Sequence, residues 1–323
     1  MTPTSSTNSS TRSEGAGSHP VLGYLAIAAA TFCWAASAAL GKGAFTGHLA
    51  AGSARLDPLI LSQARTTISC LVLAPLLWLS RGRGALAMRW PDVARCLLLG
   101  VAGFAASNFF YYQAIQMTTV STAIILQYVA PAWVLLYLVA RRQQRATVLR
   151  VGAVTAAVAG CALVVGVLHG AQLKLAPAGI AVAELAALSF AFTNVYGHGL
   201  VQRLDRWKVI VYGLLGAALF WQVLNPPWKI VAAHYSRAQW IFLAGFALLS
   251  ILLPYAFYFT GLKLLDATRA VVTSCLEPVF AIALAALFLG ERLDGGQVLG
   301  VAIVLAATIV IQLPERAGGA SPA

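Results

Sequence analysis

Three charged residues, Arg65, Glu184 and Glu277, interrupt stretches of sequence that are otherwise apolar enough to cross a membrane. A charge at the centre of a bilayer costs at least about 2.5 kcal/mol, so one that is retained usually faces the protein interior and has a function. Glu277 lies about ten residues from each end of its apolar run, or about 15 Å from each membrane surface at 1.5 Å per residue. The sequence therefore predicts an enclosed carboxyl group at mid-depth.

Pro278 follows Glu277 directly, and Thr273 and Ser274 precede it by one helical turn. A proline inside a helix removes one backbone donor, which leaves a carbonyl oxygen free for a solute or a water molecule. The two hydroxyl groups share a helix face with Glu277. A carboxyl group in surroundings of low dielectric constant is suited to proton exchange. The alternative is a structural ion pair between Glu277 and Arg65, and the sequence leaves both open.

Arg65 lies about eight residues into its apolar run, some 12 Å deep. Its guanidinium group suits bidentate binding of a substrate carboxylate. Alternatively, the side chain extends to the membrane surface or pairs with Glu277 or Glu184. Glu184 is about seven residues into its own run, which fits either a specific role or solvation near the membrane surface.

Further polar and aromatic residues are candidates for the lining of a cavity. Asn108, Tyr111 and Tyr112 follow the i, i+3, i+4 spacing of one helix face. Other apolar runs contribute Gln127, Asn194, Tyr255 and Tyr258. Tyrosines with polar tips suit an amphiphilic solute, but Tyr and Trp also collect where a membrane meets water, and either interpretation fits these tyrosines.

The composition places all these residues in a membrane protein. Of the 323 residues, 60% are hydrophobic and 10% are charged, with a mean hydropathy of +0.80. We predict an all-α polytopic fold with ten membrane-spanning helices, at residues 21–41, 58–79, 93–115, 120–140, 147–168, 177–200, 208–224, 239–262, 267–290 and 296–313.

Lys and Arg are unevenly divided between the loops. The loops after the second, fourth, sixth and eighth predicted spans carry twelve of them, and the alternate loops carry five. Because Lys and Arg resist translocation, this asymmetry places both termini in the cytoplasm. The net charge of +12 therefore reports topology and does not indicate a nucleic-acid partner.

Residues 1–20 are predicted to be a disordered cytoplasmic tail, and residues 314–323 a short cytoplasmic tail. A cleaved signal peptide, with AASAA at 35–39, is the rejected alternative.

Several classes of chemistry lack their motifs in this sequence. The five cysteines fall in separate predicted spans, and no cluster of His and Cys indicates a metal site or a cofactor. No GxxxxGK[ST] motif for ATP hydrolysis is present. A membrane enzyme or a lipid-handling accessory protein is an alternative that no nucleophile arrangement supports.

The two halves of the sequence repeat each other. At an offset of 147 residues five pairs match: Pro131 and Pro278, Phe110 and Phe257, Tyr111 and Tyr258, Ala123 and Ala270, Arg145 and Arg292. The first and sixth spans match at an offset of 156, which aligns Ala28 with Glu184. Five helices in each half give the two copies opposite orientations, as in transporters whose substrate site lies where the halves meet. We assign the repeats to residues 21–168 and 177–313.

The stretch LEPVFAIALAALFLGERL at 276–293 resembles the ninth helix of EamA-type transporters of the drug/metabolite transporter superfamily, and QARTTISCLVLAPLL at 63–77 resembles their second helix. The resemblance implies ten helices and export of small metabolites, commonly amino acids, or of drugs. The superfamily's four-helix multidrug exporters use a glutamate in their first helix. Here Trp34 aligns with it, and Phe190 takes that place in the second half. A mechanism in which that glutamate exchanges protons for a lipophilic cation is therefore in doubt.

These observations together predict a secondary transporter of the bacterial cytoplasmic membrane. It would export an amino acid or similar polar metabolite by alternating access, with the proton as coupling ion. Efflux of hydrophobic cations or drugs is the alternative. The small residues Gly152, Ala156 and Gly160 favour close helix contact, either within one chain or in a homodimer.

Overall fold

The computed structural model describes residues 20–46, 57–167, 176–289 and 293–313. In these residues the chain forms ten long helices: α1 (Pro20–Thr46), α2 (Pro58–Arg81), α3 (Trp90–Met117), α4 (Val120–Ala140), α5 (Val148–Val164), α6 (Pro177–Val201), α7 (Arg206–Leu224), α8 (Arg237–Leu264), α9 (Ala267–Ser274 and Leu276–Leu289) and α10 (Gly295–Val310).

The ten predicted spans are confirmed. Eight helices are long and apolar enough to cross a bilayer, and α5 and α10 are shorter apolar helices of 17 and 16 residues. The prediction missed the short helix Pro227–Ala232 in the α7–α8 loop, and α1 continues to Thr46. The predicted tails lie outside the described residues, apart from Pro20, which begins α1.

Aspartates at the loop ends explain where several helices begin. The side chains of Asp57, Asp205, Asp266 and Asp294 accept hydrogen bonds from backbone N–H groups in the first turns of α2, α7, α9 and α10. The first N–H groups of a helix have no partner within the helix, and a side-chain oxygen satisfies them. Four of the ten acidic residues are therefore used to start helices.

Irregular turns occur at matching places in the two halves. The regular helix of α4 is interrupted between Gln127 and Ala130, before Pro131, and that of α9 is interrupted at Cys275, before Pro278. In α3 and α8, π-helical segments end at Ala105 and Leu252, which are also 147 residues apart. The repeat detected in the sequence is therefore also a repeat of backbone irregularities.

The two halves pack as inverted copies. Helix α1 lies against α8 and α9, and its counterpart α6 lies against α3 and α4. Further contacts between the halves pair α2 with α7 and α8, α3 with α7, α4 with α9, and α5 with α9 and α10. In its first turn, each of α1 and α6 has a glycine in close contact with the other half: Gly23 meets Leu265, and Gly179 meets Thr118. Leu265 and Thr118 are themselves equivalent at the offset of 147.

Close contact between α5 and α10 occurs within one chain. A Cβ atom on Gly160 would come within 2.8 Å of Val304 Cγ2, and one on Gly300 within 2.6 Å of the Val164 backbone nitrogen. By contrast, the space around Gly152 is open. Of the small residues named from the sequence, Gly160 therefore serves the intrachain contact, and Gly152 takes no part in it.

We expect Gly300→Ala to destabilise the protein, because the added methyl group meets backbone atoms of α5 that cannot rotate away. Overpacking of this kind costs about 1–3 kcal/mol, which would lower the Tm by several degrees. Thermal unfolding in detergent measures the change. Gly152→Ala is the matched control, since it adds the same methyl group to a helix at an open position. Equal melting temperatures for the two variants would contradict the close α5–α10 contact.

Candidate functional site

Arg65 is held by two polar side chains of α3. Its Nη2 atom donates hydrogen bonds to Asn108 Oδ1 at 2.7 Å and to the Tyr112 hydroxyl at 3.3 Å. Its Nε atom is buried and has no hydrogen-bond partner among the described residues. Neither Glu277 nor Glu184 forms an ion pair with it, so the pairing considered from the sequence is wrong in this structure. The guanidinium charge thus retains an unused donor.

Glu277 follows the break in α9, and its immediate neighbours are uncharged. The Tyr128 hydroxyl, at the matching break in α4, lies beside the Glu277 carboxyl group. The hydroxyl groups of Tyr111 and Tyr258 also lie near this carboxyl group. In the described part of the chain no cation lies within salt-bridge distance of Glu277.

Aromatic rings connect the surroundings of Arg65 with those of Glu277 by two routes. Tyr112, which contacts Arg65, has its ring centroid 5.8 Å from that of Tyr111, which lies near Glu277. By the second route, the ring centroid of Trp34 lies 6.2 Å from that of Tyr255 and 5.2 Å from that of Tyr258. Tyr255 lies within electrostatic range of Arg65, and Tyr258 within electrostatic range of Glu277. We call these seven residues, Arg65, Glu277, Trp34, Tyr111, Tyr112, Tyr255 and Tyr258, the central layer.

The central layer lies where the two halves meet. Trp34 and Phe190, which are equivalent in the repeat, contact each other with ring centroids 6.5 Å apart. Two equivalent residues can touch only close to the axis that relates the halves. Tyr255 and Tyr258 are 8% and 1% exposed, so the membrane-surface interpretation of these two tyrosines is wrong. The layer therefore occupies the position at which inverted-repeat transporters bind their substrates.

Asn194 and Ser274 support one side of the layer. Asn194 is fully buried, accepts a hydrogen bond of 2.6 Å from the Tyr258 hydroxyl, and donates to the Phe190 carbonyl oxygen. The Ser274 hydroxyl donates to the Val271 carbonyl oxygen and also lies beside the Tyr258 hydroxyl. Both residues thus orient Tyr258.

Glu184 and Gln127 have different surroundings. Glu184 accepts a 2.8 Å hydrogen bond from Trp133 Nε1 and so connects α6 with α4. Gln127 is half-buried and is the last residue before the break in α4.

The structure places Tyr128, which sequence reasoning missed, next to Glu277. The signal for Tyr128 was its position three residues before Pro131, where Cys275 stands in the second half.

A buried amide network was also missed. Gln63 Nε2 donates to Gln222 Oε1 and to the Asn225 carbonyl oxygen, Asn225 Nδ2 donates back to Gln63 Oε1, and Gln222 Nε2 donates to Thr67. Gln63 is fully buried and Asn225 is 4% exposed. The network joins the first turns of α2 to the end of α7. The i, i+3 spacing of Gln222 and Asn225 at the end of an apolar run was the available signal.

The chemistry available in the central layer is recognition and proton exchange. No group of three or more His, Cys, Asp or Glu that could hold a metal ion occurs in the described ranges. The cysteines described there, Cys33, Cys70, Cys96, Cys161 and Cys275, are free thiols. What the layer offers is one fixed cation with a free donor, one carboxyl group, and aromatic walls.

An inverted pair of five-helix repeats that encloses such a layer defines a membrane transport protein. The chain belongs to the EamA-like transporter family, whose family model matches residues 21–166 and 177–313. It is 28% identical to the uncharacterized transporter YxxF of Bacillus subtilis over 76% of this chain and 78% of that protein. It is 23% identical to the uncharacterized inner membrane transporter YicL of Salmonella typhimurium, over 70% and 75% of the two chains.

A similar fold has also been solved experimentally. One crystal structure superposes on the chain with a TM-score of 0.73 at 18% identity, covering 90% of this chain and 96% of the other. This likeness shows the fold alone. Family membership and fold together make the protein a multi-pass membrane transporter of known architecture.

We expect Gln63→Ala to lower thermal stability, because it leaves the amides of Asn225 and Gln222 without their partner. A buried polar group that loses its hydrogen bond costs about 1–3 kcal/mol. Unfolding in detergent measures the change, with Gln143→Ala in the exposed α4–α5 loop as the matched control. If both variants melted with the wild type, the amide network would not join α2 to α7.

Proposed function

We propose that the protein exports amino acids or similar small polar metabolites across the bacterial cytoplasmic membrane by alternating access, in exchange for protons. The central observation is that neighbouring aromatic rings join Arg65 to Glu277, and that no opposite charge of the described protein neutralises either of them. A zwitterion carries the two complementary groups, a carboxylate for Arg65 and an ammonium group for Glu277.

The Arg65 end of the layer supports recognition of a carboxylate. Asn108 and Tyr112 fix the guanidinium group through Nη2 only, which leaves the buried Nε atom without a partner. A guanidinium N–H group binds carboxylate oxygens strongly, because the donor carries charge. A solute carboxylate oxygen at Nε would satisfy this donor and neutralise the charge together.

The Glu277 end supports coupling to protons. A buried carboxylate without a cation beside it is costly, so its charge must be compensated by a bound proton or by a cationic group of the solute. The proton and the solute ammonium group therefore compete for the same carboxyl group. In this proposal, release of the solute on one side of the membrane allows Glu277 to take up a proton, which leaves on the other side.

The aromatic walls favour the alternative solute, a hydrophobic cation. Trp34, Tyr255 and Tyr258 lie between the two charged residues, and ring faces attract cations. Arg65 in the same layer would repel a cation without a carboxylate. Loss of the arginine should therefore weaken transport of a zwitterion and strengthen transport of a simple cation, and this difference separates the two proposals.

We expect Glu277→Gln to reduce proton-coupled export at least tenfold, since glutamine cannot exchange a proton. Proteoliposomes loaded with a mixture of amino acids and a pH-sensitive dye measure solute efflux and proton movement together. The matched control is Asp92→Asn, which removes a carboxylate that pairs with Arg95. Wild-type proton movement in Glu277→Gln would refute the coupling role.

We expect Arg65→Gln to abolish efflux of solutes that carry a carboxylate, and Arg65→Lys to restore only part of it, because an ammonium group cannot bond to Asn108 and Tyr112 in the guanidinium geometry while it binds the solute. The control Arg83→Gln removes the same charge from an exposed loop. Resistance of cells to cationic dyes is measured in parallel. Unchanged amino-acid efflux together with altered dye resistance would favour the alternative solute.

A further inference from the structure

The inverted repeat predicts two equivalent clefts, one between α1 and α9 and the other between α6 and α4. In the first cleft, the rings of Phe32 and Phe280 contact each other edge to face, with centroids 5.6 Å apart. Their counterparts in the second cleft are Leu188 and Trp133. There the helices leave a groove of about 880 Å³, lined by both of these residues. The two clefts therefore differ.

Several side chains that differ from their counterparts in the first half shape the groove. Trp133, in its wall, donates its indole N–H to Glu184, which stands where the first half has Ala28. Phe192 and Tyr196 form another part of the wall, with rings stacked at 4.7 Å. Gly199 adds open space, because no atom lies within 4 Å of where its Cβ would be. The body of the groove is thus apolar and aromatic.

One end of the groove is polar and basic. It reaches Gln143 in the α4–α5 loop and Arg203 in the α6–α7 loop, on the side that the loop charges assign to the cytoplasm. Arg203 is exposed and uses its Nε atom on the Gly199 carbonyl oxygen of its own helix. Asp266, the acid at this end, is paired with Arg269 at 3.4 Å. The uncompensated charge at the mouth is therefore positive.

The dimensions of the groove match one lipid leaflet. From Leu188 the groove follows α6 for 13 residues to its end at Val201, or about 20 Å at 1.5 Å per residue, and Arg203 lies in the turn after it. Half of the hydrocarbon core is about 15 Å thick, and the headgroup region extends further. An acyl chain therefore fits along the aromatic wall while its headgroup lies beside Arg203.

From this geometry we propose that the α4–α6 groove is a binding site for an anionic phospholipid, with an acyl chain along Trp133, Phe192 and Tyr196 and the phosphate at Arg203. Basic side chains at the cytoplasmic surface attract anionic headgroups, and the stacked rings offer a rigid apolar wall. The proposal does not depend on which solute is transported.

Native mass spectrometry of the full chain in detergent tests the proposal. Phosphatidylglycerol and phosphatidylcholine with identical acyl chains are titrated separately. We expect phosphatidylglycerol to bind at least fivefold more tightly than phosphatidylcholine. Arg203→Gln should remove this preference, whereas Arg83→Gln, which removes an exposed charge outside the groove, should keep it.

Gly199→Phe tests the apolar part of the site by filling open space, and it should weaken both lipids. Its melting temperature in detergent verifies that the variant is folded. Equal binding of the two lipids, or an unchanged preference in Arg203→Gln, would overturn the proposal. A species of twice the chain mass that Gly199→Phe converts to monomer would also overturn it, because the groove would then hold a second copy of this chain.

Discussion

Inside a bilayer every backbone N–H and C=O group needs a partner within the protein, and this constraint determines where irregular backbone can occur. Pro131 and Pro278 have no N–H for the carbonyl groups of Gln127 and Ser274, one turn earlier. Such breaks are tolerated only where protein or an enclosed cavity surrounds them. The tightened turns, in which Val129 N–H bonds to Leu126 and Cys275 N–H to Val272, therefore lie between the two halves. Tyr128 and Glu277 are neighbours because each of them lies at one of these two breaks.

Some residues of the central layer have an equivalent residue of similar type in the other half, and Glu277 does not. Tyr111 and Tyr258 are equivalent and both lie near the same carboxyl group, and Trp34 touches its own counterpart Phe190. By contrast, Glu277 corresponds to Ala130, which is fully buried. Two copies of an enclosed, unpaired carboxyl group would double the cost of burial and repel each other. A single copy gives the layer one end for an anion and one for a cation or proton, a polarity that a zwitterion matches.

The helices could be predicted from the sequence because each must be long and apolar. The two breaks could be predicted because proline lacks the N–H group that an uninterrupted helix needs. Sequence reasoning also chose Glu277 and Arg65, since charges in apolar runs are costly. It did not find which groups face each other. Whether Arg65 bonds to Asn108 or to an acid depends on rotations of α2 and α3 about their axes, which an all-round apolar helix does not encode. For the same reason the Gln63–Asn225 network and the position of Tyr128 beside Glu277 were missed. The sequence shows these polar residues, but it does not show which side chains face them.

The departures from symmetry differ in kind. Replacement of Ala130 by Glu277 places a charge at the interface of the halves, where a solute and a proton would compete for it. Replacement of Ala28 by Glu184 places a carboxyl group on an indole at the edge of a groove. One sequence change therefore acts on the interior of the bundle and the other on its outer surface. The first half thus supplies the cation of the central layer, Arg65, and the second half supplies both acidic residues that break the symmetry, Glu277 in α9 and Glu184 in α6.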